Sequence, residues 1–259
     1  MPDRTQAVFG YPSALRDVTT HYCPGCTHGV IHRMVAEVLD ELGVRSRTVG
    51  VAPVGCAVLA YDYFNADMQQ ASHGRAPAVA TGIKRARPDL VVFTYQGDGD
   101  LASIGMSEIL HCANRGEKVT VVFVNNAIYG MTGGQMAPTT MPGQVTTTSP
   151  LGRDVRLAGE PIRMAEMLCT LRTPAFVARG AVHRPLHAVR TKDLLRRAFT
   201  YQVEDRCFSM VEILSTCPTN WGLPPQEACD WVEQTMVPYF PLGIFKTPDG
   251  SDRAPRPVW

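Results

Sequence analysis

The chain has 259 residues, 45% of them hydrophobic, which is enough to bury a substantial core. Its 25 Lys and Arg against 24 Asp and Glu leave a formal net charge of +1, and the absence of a basic run argues against nucleic acid or an anionic membrane surface as a partner. The first residues are charged, and nowhere do about 18 apolar residues follow one another, so a cytoplasmic protein without a membrane span is expected.

The first half of the chain predicts an alternation of helices and strands. Apolar residues at helical spacing predict a first helix over residues 29–42, with Gly43 as a stop. Near-continuous apolar strands separated by helices indicate parallel strands with crossover connections, and therefore an α/β fold with a doubly wound parallel sheet. The later elements are a strand at 47–55, a helix at 76–87, a strand at 89–96, a helix at 101–116 and a strand at 118–126.

The second half of the chain is less regular. A stretch rich in Gly, Thr and Pro follows Asn126, and loops of that length in a compact domain are usually functional. After Pro218 the sequence predicts one helix and then a Pro-rich tail. Between these segments it predicts helices at 160–171 and 192–201 and strands near 174–178 and 209–214.

A glycine turn, GDGDLA at 97–102, connects a predicted strand to a predicted helix. It fits the G-x-G-x-x-[GA] pattern of dinucleotide-binding loops. However, Asp98 and Asp100 would repel a pyrophosphate, and the next strand ends in amides instead of an acidic residue that could hold a ribose. A Mg²⁺ ion between Asp98 and the Asn125–Asn126 pair would instead attract the phosphate, since carboxylate and amide oxygens suit Mg²⁺.

The segment from this turn to the two asparagines resembles the thiamine diphosphate motif, which opens with GDG and closes with NN. The resemblance implies that Mg²⁺ is held by the Asp98 carboxylate, the Asn126 amide and the backbone carbonyl of Ile128. Without a cofactor, Asp98 would be a turn residue. Asp100 is interpreted either as the N-cap of the following helix or as a residue that supports the metal site.

Eight cysteines in a cytosolic chain indicate metal binding or catalysis more than disulfides. Cys23 and Cys26 in HYCPGCTHG have a spacing that fits zinc, a redox dithiol or an iron-sulfur centre. Cys56 and Cys217 follow predicted strands, and both are expected at the same edge of the sheet. The other four, which are expected to be buried thiols or to lack a metal-like context, are Cys112, Cys169, Cys207 and Cys229.

Five segments together resemble the β subunit of 2-oxoacid:ferredoxin oxidoreductases of the 2-oxoglutarate and 2-oxoisovalerate type. They are HYCPGCTHG, VAPVGCA, HGRAPAVATGIKRARPDL, GDGDLASIG and NNAIYGMTGGQMAPTT. The resemblance implies one [4Fe-4S] cluster, held by Cys23, Cys26, Cys56 and Cys217. It also implies a thiamine diphosphate-binding fold with the cluster site over residues 1–217, followed by a C-terminal helix and Pro-rich extension over 218–259.

The remaining candidate residues lie in two short segments. His73, Gly74 and Arg75 precede a predicted helix start, a position that favours anions, and the resemblance implies that they face the cofactor, with His73 as the candidate catalytic residue. Gly130 and Thr132 belong to YGMTGGQ, whose glycines permit a close approach to a phosphate. The predicted cofactor-binding set is Cys56, His73, Gly74, Arg75, Gly97, Asp98, Gly99, Asp100, Asn126, Ile128, Gly130 and Thr132.

The resemblance implies oxidative decarboxylation of a 2-oxo acid with coenzyme A to acyl-CoA and carbon dioxide, with electrons passing through the cluster to ferredoxin. No acidic residue has a motif that marks it as the glutamate that activates thiamine, and no C-x-x-C-x-x-C-x-x-x-C-P run is present. The expected partners are therefore an α subunit with the pyrimidine-binding glutamate, a γ subunit and a ferredoxin-like δ subunit. Two alternatives stay open: a cluster-free thiamine diphosphate-dependent decarboxylase or carboligase, and a non-catalytic scaffold subunit stapled by zinc.

Overall fold

Seven strands form one sheet in the order β2-β1-β3-β4-β6-β5-β7 in the computed structural model, which describes residues 10–249. Strands β1 to β6 pair in parallel, and β7 runs antiparallel to β5 at the edge. The strands are β1 (Thr48–Ala52), β2 (Asp67–Gln70), β3 (Val91–Gly97), β4 (Thr120–Asn125), β5 (Ala175–Ala181), β6 (Phe208–Leu214) and β7 (Gly243–Lys246). The predicted doubly wound α/β sheet is confirmed.

Helices cover both faces of the sheet, and none within residues 10–249 is long and apolar enough to cross a membrane. One core lies between the sheet and α1 with α7, and a second lies between the sheet and α3, α4 and α6. The helices are α1 (His28–Glu41), α2 (Ala60–Tyr63), α3 (Ala76–Ala86), α4 (Met106–Arg115), α5 (Val155–Ala158), α6 (Met164–Cys169), α7 (Pro185–Val203), α8 (Pro218–Trp221), α9 (Pro225–Trp231) and α10 (Val237–Tyr239). Two π-helical turns, Asp100–Ile104 and Val232–Met236, precede α4 and α10.

Successive side chains of the central strands enter opposite cores, which explains their almost continuous apolar sequence. Phe93 and Tyr95 of β3 belong to the core under α1 and α7, whereas Val92 belongs to the other. In β4, Val121 and Val122 divide in the same way. A parallel sheet covered on both faces therefore reads as an apolar run instead of an alternating pattern.

The structure corrects several predicted elements. The helix predicted at 192–201 is α7, which already begins at Pro185, because Pro185 is a favourable first residue and the charged residues of this helix conceal its periodicity. The helix predicted at 101–116 opens as the π-helical turn and reaches α-helical geometry only after Gly105. The short polar strand β2 was not predicted, because its exposed side chains show no apolar pattern.

The segment after Cys217 is more ordered than the predicted helix and tail. It contains α8, α9, the second π-helical turn and α10, and it ends in β7, which pairs with β5 of the same sheet. Residues 250–259 of the proposed extension lie outside the described residues. The division at residue 217 therefore does not separate two sheets, and it stays a proposal about the chain's organisation.

The carboxyl ends of the parallel strands gather chemically active side chains at one edge of the sheet. Cys56 follows β1, Asp98 follows β3, Asn126 follows β4, His183 follows β5 and Cys217 follows β6. Because parallel strands end at the same edge, residues far apart in sequence meet there. This edge contains the candidate site.

Candidate functional site

A cavity of about 420 Å³ opens at the carboxyl ends of β1, β3 and β4. Two predicted residues, Gly74 and Arg75, do not line it. The other predicted cofactor-binding residues all do: Cys56, His73, Gly97, Asp98, Gly99, Asp100, Asn126, Ile128, Gly130 and Thr132. The structure therefore brings most of the predicted set into a single cavity, large enough for part of a small cofactor.

The Asp98 carboxylate is the buried acid at the bottom of this cavity, with only 4% of the residue exposed. Its Oδ2 accepts hydrogen bonds from the Ile128 backbone N–H at 3.1 Å and the Thr139 hydroxyl at 2.8 Å, and its Oδ1 accepts one from Gly99 N–H at 2.9 Å. Burial raises the pKa of Asp98 to about 7, although these hydrogen bonds oppose the shift. Burial therefore disfavours the charged form of Asp98, which a nearby cation would favour.

Three oxygen atoms converge in the cavity, one each from Asp98, Asn126 and Ile128. As oriented, the Asn126 side-chain oxygen lies 2.8 Å from the Ile128 carbonyl oxygen and 3.3 Å from Asp98 Oδ2. Rotating the amide would turn its N–H groups toward those acceptors. A cation at their centre would satisfy all three oxygens without rotation, because neighbouring ligands of Mg²⁺, each 2.0–2.1 Å from the metal, stand about 2.9 Å apart. The donor set and its spacing therefore fit a hard divalent cation.

Ala127 explains why the Asn126 side chain and the Ile128 carbonyl point to the same place. Its φ of 56° lies in the left-handed region, which residues with a side chain rarely adopt. The Ala127 backbone is held by Asn125 Oδ1, which accepts its N–H at 3.1 Å, and by the Thr140 hydroxyl, which donates to its carbonyl at 2.7 Å. Strain of this kind persists where the surrounding structure imposes it, and it concentrates at functional sites.

The interpretation of Asp100 as a helix N-cap is wrong. Its side chain makes no capping hydrogen bond in the π-helical turn that it begins. Instead, Asp100 Oδ1 accepts from the backbone N–H groups of Val54 at 3.1 Å and Gly74 at 2.9 Å, and it pairs with His73 Nδ1 at 2.7 Å. Its Oδ2 accepts from Gln96 at 2.7 Å. Asp100 thus fastens the loops after β1 and β2 to β3 and fixes the His73 ring at the cavity wall.

Gly74 and Arg75 take positions beside the cavity. A Cβ on Gly74 would lie 2.7 Å from the Gly105 backbone nitrogen, so Gly74 permits the close packing of its loop against the π-helical turn. Arg75 is paired with Glu108 of α4, and 45% of its side chain is exposed. Their roles toward a cofactor stay predictions, whereas their packing roles are visible.

The YGMTGGQ loop closes the cavity from the side of β4. The Thr132 hydroxyl donates to Gln135 of the same loop, so Thr132 reaches a phosphate only if that bond opens. Tyr129 lies directly over the glycine turn, where a Cβ on Gly99 would come within 2.8 Å of its ring. Gly99 is therefore required by packing, and this requirement is independent of any phosphate.

The four predicted cluster cysteines lie near one another, and Cys56 among them lines the cavity. A Cβ added to Gly130 would lie 3.0 Å from Cys56 Sγ and 3.4 Å from Cys217 Sγ. Burial raises the pKa of Cys56 to about 12, and the other three thiols and Asp98 contribute further. Burial likewise raises the pKa of Cys26 to about 11, with contributions from Cys217 and Cys23. Burial thus disfavours the thiolate forms of Cys26 and Cys56, and a bound metal centre would favour them.

Asn220 orients the fourth cysteine of this group. Its Nδ2 donates to the Gly130 carbonyl at 2.9 Å and lies 3.3 Å from Cys217 Sγ. An N–H donor beside a thiolate stabilises its negative charge, and such donors tune the potential of iron-sulfur centres. The other four cysteines lie elsewhere in the fold, as their sequence context predicted: Cys112 on α4, Cys169 on α6, Cys207 before β6 and Cys229 on α9.

The Cys23–Cys26 loop is covered by the segment after Cys217. Gly25, with φ of 78°, packs against Pro225 at the start of α9, where a Cβ would come within 2.6 Å of the proline ring. We expect Gly25→Ala to lower the free energy of unfolding by more than the about 1–2 kcal/mol of a left-handed alanine, because Pro225 must also move. Thermal unfolding of the purified chain measures this effect.

Gly43→Ala is the matched control, because Gly43 has φ of 63° and no atom within 4 Å of an added Cβ. It carries the same backbone strain without the proline contact. Equal losses of stability in the two variants would contradict the packing of α9 on the cysteine loop.

Sequence reasoning missed several residues of the site. His28 lines the cavity, is 3% exposed and bonds through Nδ1 to the Tyr95 hydroxyl at 2.8 Å. Burial lowers the pKa of His28 to about 4, so its ring is neutral near pH 7. Thr139, which donates to Asp98, was also missed, since nothing distinguishes it within its Thr-rich stretch. Ile104 and Met131 add apolar wall.

Comparison with known proteins identifies this arrangement. Residues 53–213 match the family model described as thiamine pyrophosphate enzyme, C-terminal TPP binding domain. The chain is 48% identical over 245 residues to the ketoisovalerate oxidoreductase subunit VorA of Methanothermobacter thermautotrophicus, a match that covers 95% of this chain and 51% of that protein. It therefore spans about half the length of this relative.

Two further similarities cover a larger share of the matched protein. The 2-oxoglutarate synthase subunit KorB of Methanocaldococcus jannaschii is 35% identical over 205 residues, which cover 78% of this chain and 70% of KorB. The chain also superimposes on a solved structure with a TM-score of 0.71 at 30% identity, and the match covers 83% of this chain and 70% of the other. That structure is a 2-oxoglutarate:ferredoxin oxidoreductase from Magnetococcus marinus with 2-oxoglutarate, coenzyme A and succinyl-CoA bound. The resemblance of the motifs is confirmed: this chain belongs to the family of 2-oxoacid oxidoreductase subunits that carry the thiamine pyrophosphate-binding domain.

Proposed function

We propose that the chain is the thiamine diphosphate-binding β subunit of a 2-oxoacid:ferredoxin oxidoreductase. In the overall reaction the carbon–carbon bond to the carboxylate of a 2-oxo acid breaks, a carbon–sulfur bond to coenzyme A forms, carbon dioxide leaves and two electrons pass to ferredoxin. The observation that carries the proposal is that the Asp98 oxygen cluster borders the cavity that Cys56 also lines, with Cys23, Cys26 and Cys217 grouped near Cys56.

The Asp98 side of the cavity would hold the diphosphate through Mg²⁺. Asp98, Asn126 and the Ile128 carbonyl supply three hard oxygen ligands at suitable spacing, and the raised pKa of Asp98 is the penalty that a cation would remove. Phosphate oxygens and water would complete the octahedron. Gly97 and Gly99 leave room for the backbone turn beside them.

The cysteine side of the cavity fits a polynuclear iron-sulfur centre better than one zinc ion. Thiolates on a single tetrahedral zinc, each 2.3 Å from the metal, stand about 3.8 Å apart. Among residues 10–249, no three of Cys23, Cys26, Cys56 and Cys217 come within 4.8 Å of one another. Wider spacing is what a [4Fe-4S] cube requires, because each thiolate binds a different iron. This spacing argues against the zinc-stapled scaffold.

When bound, thiamine diphosphate supplies the carbon nucleophile and electron sink for decarboxylation, and the cluster accepts electrons one at a time. The chain's own residues position and enclose these groups. Asp100 fixes His73 at the cavity wall, within reach of a bound substrate. Tyr129 and Met131 cover the cavity and restrict the entry of water.

The cavity supplies only part of an active site. Its acidic lining residues are Asp98 and Asp100, and no glutamate from the described part of the chain lines it. An α subunit would therefore supply the pyrimidine-binding glutamate. A γ subunit and a ferredoxin-like δ subunit would complete the electron path, since the sequence has no C-x-x-C-x-x-C-x-x-x-C-P run for relay clusters.

We further propose a branched, apolar 2-oxo acid as the substrate. No lysine or arginine in residues 10–249 lines the cavity, so nothing there would pair with the second carboxylate of 2-oxoglutarate, whereas Val54, Ile104 and Met131 offer apolar contacts. The greater identity to a relative named for ketoisovalerate supports the same choice.

The test is coenzyme A-dependent reduction of ferredoxin by the anaerobically purified complex. We expect the highest kcat/KM with ketoisovalerate among ketoisovalerate, 2-oxoglutarate and pyruvate, and about four irons for each copy of this chain in addition to those of a ferredoxin-like δ subunit. Cys56→Ser should lose about four irons for each copy of the chain and the activity, because one cluster ligand is removed. Cys229→Ser, at a half-buried thiol on α9, is the matched control and should retain both.

The alternatives predict different results. A colourless, iron-free complex that still decarboxylates the 2-oxo acid would identify the cluster-free enzyme. Failure to bind thiamine diphosphate in a folded complex would identify a scaffold subunit. A preference for 2-oxoglutarate would overturn the substrate assignment alone.

A further inference from the structure

A second group of metal-ligating side chains lies away from the cavity, between the start of α7 and the C-terminal segment. His183 follows β5, His187 lies in the first turns of α7, and Glu233 lies in the π-helical turn Val232–Met236. Their ligand atoms all lie within 4.8 Å of one another. Of the side chains, that of His183 is fully buried, that of His187 is 17% exposed and that of Glu233 is 44% exposed. None of these residues belongs to the proposed active site.

Hydrogen bonding alone explains this group poorly. Glu233 Oε2 lies 2.5 Å from His183 Nε2 and 3.7 Å from His187 Nε2, so one oxygen faces two imidazole nitrogens and bonds only one. The rings stack with centroids 4.7 Å apart.

A divalent metal ion accounts for the convergence. Two imidazoles and one carboxylate are a known donor set for Zn²⁺, with water in the fourth position. Ligands 2.0–2.1 Å from a tetrahedral ion stand about 3.3 Å apart, and the two distances from Glu233 lie on either side of that value. A small displacement of Glu233 would equalise them, and its partial exposure permits that movement. Arg184, a nearby cation, is already paired with Asp230 at 2.6 Å.

The π-helical turn provides a second reason to regard the group as a site. Such turns are rare, and they often occur where a helix must present a side chain for function. This one interrupts the helix that runs from α9 to α10 and carries Glu233 toward the two histidines. The same helix begins at Pro225, which packs on Gly25 between Cys23 and Cys26. A metal bound here would therefore anchor the helix that covers the cysteine loop.

We propose that His183, His187 and Glu233 bind one divalent ion of the zinc class, which clamps the C-terminal helix to the start of α7. The site is empty in this structure. The inference is independent of the proposed enzymatic activity, because it concerns ligands outside the cavity. A chain that fails as an oxidoreductase subunit could still bind zinc at this position.

The test is a titration of Zn²⁺ into the anaerobically purified full chain, in the complex in which it purifies, after dialysis against a chelator. We expect one Zn²⁺ for each copy of the chain in addition to the iron, measured by calorimetry and elemental analysis. His187→Gln and Glu233→Gln should each weaken binding by at least about 100-fold, since loss of even an outer contact to a metal ligand weakens binding about 10- to 100-fold. Both side chains are partly exposed, so these variants are expected to fold.

His111→Gln on α4 and Glu227→Gln on α9 are the matched controls, because both side chains are exposed and lie outside the group. They should leave zinc affinity unchanged. Amide exchange of residues 225–240 should slow on addition of zinc to the wild type and not to Glu233→Gln. Absence of saturable zinc binding, or binding that survives both site variants, would overturn the proposal.

Discussion

Asp98→Asn is expected to weaken Mg²⁺-dependent binding of thiamine diphosphate by about 30-fold or more, because loss of one member of a buried charge contact costs roughly 2–5 kcal/mol. Asp98 offers the only carboxylate among the three converging oxygens, so its replacement removes the negative charge that attracts the cation. The amide oxygen can still accept from Ile128 and Thr139, which favours a folded variant. Calorimetric titration of the cofactor at fixed Mg²⁺ measures the affinity, and near-UV circular dichroism checks the fold.

The same carboxyl group predicts a pH dependence of cofactor binding. Burial raises the pKa of Asp98 to about 7 when no cation is present, so the free protein holds a proton there below that pH. Mg²⁺ must displace this proton, so the affinity should fall as the pH decreases below about 7 and level off above it. In Asp98→Asn, which has no titrating carboxyl at this position, that dependence should disappear.

Asp89→Asn makes the same chemical change at an exposed carboxylate that pairs with Arg87. It should leave cofactor affinity and its pH profile as in the wild type. An unchanged affinity in Asp98→Asn would refute the metal assignment. A loss of near-UV signal would instead attribute the effect to folding, and Asp98→Ser would then repeat the test with a smaller side chain.

Arg179→Met is expected to lower the free energy of unfolding by about 3–5 kcal/mol, the usual loss when one member of a buried ion pair is removed. Arg179 lies on β5 opposite Glu212 of β6, and the two fully buried side chains form an ion pair at 2.9 Å. Arg179 also pairs with Glu166 at 2.5 Å and donates to the Pro241 carbonyl at 3.0 Å. Methionine would leave the Glu212 charge unpaired inside the sheet.

The double variant Arg179→Met/Glu212→Gln separates the loss of the Arg179 contacts from the cost of leaving the Glu212 charge unpaired. Neutral glutamine can still accept the hydrogen bond that Asn125 donates to Glu212 at 2.8 Å, so the double variant should be more stable than Arg179→Met alone. Arg197→Met, at a half-exposed arginine paired with Asp193, is the surface control and should change stability by less than about 1 kcal/mol. Urea unfolding measures all three, and a double variant less stable than the single one would contradict the unpaired-charge explanation.

The central strands and the helices between them could be predicted because their pattern is local. Val91–Gly97 and Thr120–Asn125 are mostly apolar and are buried along almost their whole length, as a parallel sheet covered on both faces requires. The elements that were missed have no such pattern. Strand β7 has four residues and gains its stability from pairing with β5, and the amino-terminal half of α7 carries polar residues along an exposed surface.

The residues of the candidate site also fall into two groups: those that a sequence motif marks, and those that only tertiary contacts bring to the site. Cys23, Cys26 and Asp98 stand in short motifs that mark them as candidate ligands, and the resemblance of those motifs to a known family implies their chemistry. His28, Thr139 and Asn220 reach the site through tertiary contacts, and no motif distinguishes them. The role of Asp100 also required coordinates, because its four hydrogen-bond partners come from three separate segments of the chain.

The sequence by itself determined the fold class, the family and the residue types of the candidate metal ligands, because periodicity and motif spacing are encoded over a few tens of residues. Only the tertiary structure decided which ligands share a cavity, how Ala127 directs the Asn126 and Ile128 oxygens toward Asp98, and how α9 covers the cysteine loop. It also brought His183, His187 and Glu233 together across 50 residues of sequence. Contacts of that range depend on how the sheet edge and the C-terminal segment pack, and no local pattern records that packing.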